Sequence, residues 1–331
     1  FHGRMDLKDV IIPYGVTSIG ANAFSCCKKL TSIQIPDSVT SIGDRAFAYC
    51  ESLTSIKLPR SVTSIGDSVF TNCKSLTAIE LPEQNPSYYS KGTMLLSKDG
   101  SKLIAFPSAK GSVVIPDGVI TISNWAFADC TGLTAIKLPD SVTCIGDAAF
   151  SGCSSLAAIQ IPDSVISIGS SAFDFCTSLT GISLPDGITS IGNWTFANCT
   201  GLTAIRIPDG VTCIGDSAFR NCTDLTSIRI PDSVTSIGVW AFYGCTSLTG
   251  INIPEGVTTL GDRAFADCGQ LEIIALPESL TTIGRYAFYY SSKLEGDVAL
   301  IRGPEQYDVT DTAASTPTID IGPGQQCTTL D

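Results

Sequence analysis

The sequence predicts an α/β repeat protein: a solenoid of about twelve coils, each made of a short strand plus a short helical or 3-10 turn, with one inserted β-hairpin. Three observations predict it. Prolines recur every 23 residues, at Pro13, Pro36, Pro59 and Pro82 and again at Pro116, Pro139, Pro162, Pro185, Pro208, Pro231, Pro254 and Pro277. Between them runs the pattern Leu-x-x-Ile-x-[Ile/Leu]-Pro-x-x-Val-x-x-Ile-Gly-x-x-Ala-Phe-x-x-Cys, whose Ile-Gly-x-x-Ala-Phe half occurs eleven times with single-site lapses. About eight of the 23 positions face inward, too few for a coil to bury its face alone, so stacking must supply the core.

The unit Leu53 to Cys73 shows how each element follows from its residues. Ile56 and Leu58 alternate with outward residues, the period-two mark of a strand with one buried face. Pro59 ends that strand because it has no N–H for the ladder and a fixed φ. Val62 and Ile65 point inward from the return segment, and Gly66 is expected to permit the corner through its backbone freedom. Val69-Phe70 then places a large ring in the core from the helical or 3-10 turn, and Cys73 follows.

One unit departs from the pattern. From Pro82 to Pro116 the step is 34 residues, and residues 83–115 lack the Ile-Gly-Ala-Phe signature. Met94-Leu95-Leu96 and Leu103-Ile104-Ala105-Phe106 flank Lys98-Asp99-Gly100, and an Asp-Gly dipeptide between apolar runs predicts a hairpin. The solenoid is expected to span 1–294. Residues 295–331 hold seven acids against Arg302 alone and predict a capping strand at Val298-Ala299-Leu300-Ile301 followed by an acidic, flexible tail.

Composition excludes several functions. The 331 residues contain a single histidine, His2, so chemistry that needs an internal histidine base or a histidine metal cluster is not expected. No Gly-x-Ser-x-Gly elbow, phosphate-binding loop or dinucleotide fingerprint occurs, and no cofactor or resident metal is expected. A net charge of −12 argues against nucleic acid as a partner. No apolar run reaches the roughly 18 residues of a membrane-spanning helix, so direct membrane insertion is not expected. The opening residues FHGRMDLKDV carry no signal peptide, and the chain reads as a mature product or an excised fragment, which leaves its location open.

These units resemble the BspA-type leucine-rich repeats, which carry the same IPxSVTSIGxxAFxxCxxLTSI wording; the likeness runs from about Val10 to Leu294 and includes the divergent NPSYYSKGTMLLSKDGSKLIAFP segment. The resemblance implies a right-handed leucine-rich-repeat solenoid in a cell-surface or secreted protein linked to adhesion to host matrix or to other cells. It implies no catalytic residues.

Four constellations carry candidate chemistry. Ten cysteines share one repeat position, from Cys27, Cys50 and Cys73 through Cys130 to Cys268, and are expected to be buried thiols, because ladder side chains lie parallel where a disulfide needs them to converge. Cys144 and Cys213 replace a serine three coils apart. The acid after most repeat prolines, Asp37 to Glu278, supplies one carboxylate per coil, too few for calcium, and reads as turn chemistry. The outward strand position varies: Gln34, Lys57, Glu80, Lys137, Gln160, Ser183, Arg206, Arg229, Asn252 and Ala275. With four bases and one acid this face is more positive than the chain, and it reads as either solvated surface or a ligand-binding sheet. Trp125, Trp194, Trp240 and Tyr286 share the position two before the core phenylalanine, with Tyr49, Phe175, Tyr243 and Tyr290 close behind it. Such a column stacks on sugars or anchors a partner, or else lies flat over the turns. Asn193-Trp-Thr, Asn198-Cys-Thr and Asn221-Cys-Thr match the glycosylation pattern, but the repeat wording itself generates two of them.

The function expected from these features is non-catalytic binding of a protein or glycan. The alternative is a structural spacer or scaffold segment with no ligand of its own.

Overall fold

The computed structural model describes residues 1–295 and comprises two compact units, one from Phe1 to Cys176 and one beginning at Thr177. The capping strand expected at 298–301 and the acidic tail after Glu295 lie outside the described residues. The chain forms a β-solenoid of about twelve turns with a repeat of about 23 residues.

The coils present their first strand where the pattern places it, except around Ile228, where it is reduced to a single bridge between Arg206 and Arg229. Ser55–Lys57 pairs in parallel with Ala78–Glu80, and in the second unit Gly181–Ser183 pairs with Ala204–Arg206 and Gly250–Asn252 with Ile273–Ala275. The register is set by the central isoleucine, which is buried in every case while its neighbours face out. The return segment also forms a strand, two residues long, as at Ser18–Ile19, Ser41–Ile42 and Ser64–Ile65 in the first unit. In the second unit Ser190–Ile191, Cys213–Ile214, Ser236–Ile237, Thr259–Leu260 and Thr282–Ile283 form a five-stranded parallel ladder of their own.

The helical or 3-10 turn expected in each coil is absent: the one 3-10 helix among the described residues is Ser292–Glu295. Where the N–H groups go gives the reason. In the coil around Phe127, Ala126, Ala128 and Cys130 close i→i−3 bonds to Ser123, Trp125 and Phe127 at 3.1–3.2 Å. The alternate N–H groups of Trp125, Phe127 and Asp129 instead donate to Asp147, Ala149 and Ser151 of the next coil at 2.7–2.8 Å. A helix would need every N–H to turn inward, so the segment is a chain of tight turns that also works as a rung of an inter-coil ladder. Left-handed backbone at Trp125 and Asp129, both with φ 59°, separates the successive turns. The same two columns are left-handed in nearly every coil, from Asn22 and Cys26 to Tyr286 and Tyr290.

The turns hold the core ring in a stack. Phe127, Phe150 and Phe173 are fully buried, with centroids 5.0 and 5.4 Å apart in succession and planes within 11°. In the second unit Phe196, Phe219, Phe242 and Phe265 follow at 5.6, 5.2 and 5.0 Å. All ten ladder cysteines are buried and carry thiols, not disulfides. Their position has a physical reason beyond small size: the S–H of Cys50, Cys73, Cys153, Cys222 and Cys245 donates to the carbonyl of the core phenylalanine one coil earlier at 3.1–3.2 Å. Ser291 makes the equivalent bond to Phe265 at 2.8 Å where the cysteine is replaced. Burial pushes the Cys50, Cys130 and Cys268 thiols up to about 12 and raises those of Cys73, Cys153, Cys222 and Cys245 well above the ordinary value. Because the thiolate is the nucleophile, the ladder thiols should resist iodoacetamide in the folded protein at pH 8, whereas the half-buried Cys26 and Cys144 should be modified first. Mass spectrometry of timed digests checks this; early labelling of Cys153 or Cys222 would contradict the buried ladder.

Residues 83–115 replace one coil with a three-stranded meander. Tyr88–Lys91 pairs antiparallel with Met94–Ser97, which pairs antiparallel with Lys102–Ala105 across the Asp99-Gly100 turn. The Tyr88–Lys91 strand goes beyond the single hairpin the sequence predicts; it is half-buried and polar, without an apolar alternation to mark it. Lys102–Ala105 then pairs in parallel with Thr121–Ile122, and Phe106 packs on Phe127 with centroids 5.6 Å apart, which returns the chain to the solenoid path.

Candidate functional site

The outward strand residues lie where the sequence predicts, one per coil. In the first unit Lys57 stands beside Glu80, and Lys137 beside Gln160; Gln34 begins the column next to Ile11. All six side chains are exposed. In the second unit the register brings two bases together, with Ser183 beside Arg206 and Arg206 bridged to Arg229. Asn252 follows beside Ala275. Gly181, Ser183 and Ala204 are small, so the arginines rim a shallow open depression floored by the strand backbone.

These arginines are not free cations. Arg206 pairs with Asp186 at 3.0 Å and Arg229 with Asp209 at 2.8 Å, each acid coming from the turn after the preceding coil's repeat proline. The Arg229 guanidinium holds the Asp209 carboxyl below its usual range. All four side chains are more than half exposed, so the pairs are screened by solvent and available for exchange with another carboxylate. The Gly-Asp and Gly-Asn side chains serve the stack instead, where Asn193 accepts from the Asp216 N–H and Asp216 from the Val239 N–H, both at 2.8 Å.

The aromatic column sits on the turns. Trp125, Trp194, Trp240 and Tyr286 all occupy the left-handed position, with φ of 58–59°. The three tryptophans are half-buried and Tyr286 is exposed. They are roofed by arginines that sequence reasoning did not single out. In the first unit the Arg45 guanidinium lies 5.5 Å from the Trp125 ring centroid. In the second unit Arg220 stands 5.3 Å from Trp194, 4.8 Å from Trp240 and 5.4 Å from Tyr243, and Arg263 stands 5.9 Å from Trp240 and 5.3 Å from Tyr286. The result is an alternating run of rings and guanidiniums held by cation–π attraction.

This run lines a pocket of about 310 Å³ enclosed by Arg220, Trp240, Tyr243, Arg263, Tyr289 and Tyr290. Two of its donors, Arg220 Nε and Trp240 Nε1, are buried and have no hydrogen-bond partner. Both atoms are sealed from solvent, so what the pocket offers a ligand is the Arg220 and Arg263 guanidiniums and the faces of its rings. A signal for it exists in the sequence. The residue after the core phenylalanine is small in coils such as Ala128, Ser151 and Ala197, but is Arg220, Tyr243 and Tyr289 here. By contrast, the crevice between Ser68–Thr71 and Trp125–Ala128 measures about 10 Å³, too small for any ligand larger than water.

Comparison with known proteins places these features in context. The family model described as the BspA type leucine-rich repeat region matches in six copies, over residues 1–94, 105–225 and 166–295. A leucine-rich cell surface protein from Faecalibacterium prausnitzii is 37% identical over 76% of this chain and 61% of its own, with a TM-score of 0.57. The chain thus spans less than two thirds of that protein. A leucine-rich repeat protein from Bacteroides ovatus is 33% identical over 89% of this chain and 79% of its own, with a TM-score of 0.58. The pneumococcal vaccine antigen PcpA is 25% identical over 77% of this chain and 62% of its own, with a TM-score of 0.60. A search of curated proteins gave no match.

Proposed function

The chain belongs to the BspA-type leucine-rich repeat family, and from that premise we propose that it is a non-catalytic binding solenoid, displayed at a cell surface or secreted, that captures a protein or glycan partner. The observation that carries this is the contrast between inward and outward columns. The inward Ile, Val, Phe and Cys positions repeat almost unchanged, while the outward strand position changes from coil to coil and in the second unit sets Arg206 beside Arg229 over a shallow depression. Repetition inside specifies the stack, and variety outside is what recognition requires. The likeness to a protein described as a cell surface protein supports the location.

The strand face is the first surface to test. Replacing Lys57, Lys137, Arg206 and Arg229 together with serine removes four exposed cations without touching the core. The variant should keep its unfolding midpoint and lose at least tenfold in affinity for an acidic protein partner identified on a host-protein array; unchanged affinity would remove the strand face from the proposal. The second reading, a spacer whose length alone matters, is favoured by one observation, that Arg206 and Arg229 already have carboxylate partners within the chain. Protein and glycan arrays with no hit would select it.

A further inference from the structure

We propose that the pocket bounded by Arg220, Trp240 and Arg263 on the turn side of the second unit binds a carboxylate-bearing sugar, a hexuronate or a similar acidic pyranose. The inference rests on the binding function proposed above and assigns it a second, separate site.

Three features of the pocket define the ligand. Its charged donors are the Arg220 and Arg263 guanidiniums, and both are held against the Trp240 ring, 4.8 and 5.9 Å from its centroid, so the pocket wall presents two positioned cations. A carboxylate supplies two oxygens in the planar form a guanidinium matches. Charge agrees, since two guanidiniums line the pocket against a single carboxylate, Asp267. The remaining walls are tyrosine rings, Tyr243, Tyr289 and Tyr290, which offer flat apolar faces beside hydroxyl tips. A pyranose has that same division, with C–H faces and hydroxyl edges, whereas an inorganic anion would leave the rings unused.

The backbone argues against an extended peptide. Around the pocket the Phe242, Gly244 and Asp267 N–H groups donate to Ala264, Ala266 and Tyr289 in the next coil at 2.7–2.9 Å, so the ladder consumes the main-chain groups to which a peptide strand would add. Recognition is left to side chains. The 310 Å³ volume is at the small end of ligand sites, the size of one or two sugar rings.

The test is calorimetric titration of the whole chain with D-glucuronate and with a tetragalacturonate, which separates a free acidic sugar from a polysaccharide segment. D-glucose, the methyl ester of glucuronate and inorganic sulfate are the controls. Binding of either uronate is expected, with at least tenfold loss for Arg220→Gln and a smaller loss for Arg263→Gln, which alters a guanidinium farther from the Trp240 ring. Trp240→Phe should keep the fold and weaken binding by loosening the two guanidiniums that the larger ring holds in place. Equal binding of the methyl ester, sulfate competing as well as uronate, or no effect of any of the three variants would overturn the proposal. The strand-face variant with four serines should bind uronate normally. If wild-type protein ignores both uronates but still captures an acidic protein through the strand face, the inference falls and the proposed function stands; if it captures neither, both fall.

Discussion

Gly238→Ala should destabilise the second unit by about 3 kcal/mol or more and lower its thermal midpoint by roughly 6–12 °C, although the change adds only one methyl group. A Cβ at Gly238 would lie 2.6 Å from the Asp216 backbone nitrogen and from the Gly215 carbonyl carbon, both in the coil beneath. Neither atom can rotate away as a side chain would. Relief requires the two coils to separate, which strains the Gly238 N–H bond to Ile214 and the Val239 N–H bond to Asp216, both 2.8 Å. The matching control is Gly181→Ala at the first residue of its strand, where the nearest atom to a new Cβ is the Ala204 carbonyl oxygen at 3.9 Å and other coils already carry alanine, as at Ala158 and Ala204. It should change stability by no more than about 0.5 kcal/mol. Because coils can unfold in groups, amide exchange at Ile214 and Val239 should accompany the thermal scan. A midpoint for Gly238→Ala equal to wild type would show that the coils are not in contact at this corner.

That glycine illustrates what the sequence makes legible. The 23-residue step and the inward columns can be read directly, because burial imposes period two on a strand and repetition fixes the register. The glycine is legible as a corner, but the reason differs from the expected one. Gly66 and Gly238 do not have positive φ; they are needed because two backbones meet there. The left-handed positions fall instead in two other columns: one carries Asn, Asp or Gly in most coils, as at Asn72, Asp129 and Gly152, residues that tolerate this conformation, while the other includes Trp125 and Trp194, where no local propensity marks it. The turn itself escapes the sequence for the same reason. The Ala-Phe-x-x-Cys spacing suits a 3-10 turn as well as a run of tight turns, and the choice is decided by acceptors one coil away. At the candidate sites, Arg206 and Arg229 are legible as outward bases, but their pairing with Asp186 and Asp209 depends on how coils are offset. Arg220 and Arg263 are not, because a base on a turn looks like solvated surface until the neighbouring coils place rings around it.

Asn85→Val should destabilise the first unit by about 3 kcal/mol, although it restores the residue that the repeat itself would place there. Asn85 stands three residues after Pro82, as Val62 does after Pro59, and it is fully buried. Its amide donates to the Val62 carbonyl at 2.9 Å, with longer contacts to Pro59 and Arg60 at 3.4 Å, and its oxygen accepts from the Ser87 and Tyr88 N–H groups at 2.9 and 2.8 Å. Valine gains apolar burial but leaves the Val62 carbonyl and two N–H groups without these partners, and each unmet buried group costs about 1–3 kcal/mol. The loss should exceed the gain. Tyr88 also anchors the segment by accepting from the Ile65 N–H at 3.1 Å, so amide exchange at Ile65, Ser87 and Tyr88 should quicken before the rest of the unit is affected. If Asn85→Val were instead as stable as wild type, the departure of residues 83–115 from the repeat would need no polar anchor and would follow simply from the missing apolar positions. The expected loss would place the cause in hydrogen-bond satisfaction: the amide lets the chain leave the solenoid path for a meander while keeping the coil beneath it sealed.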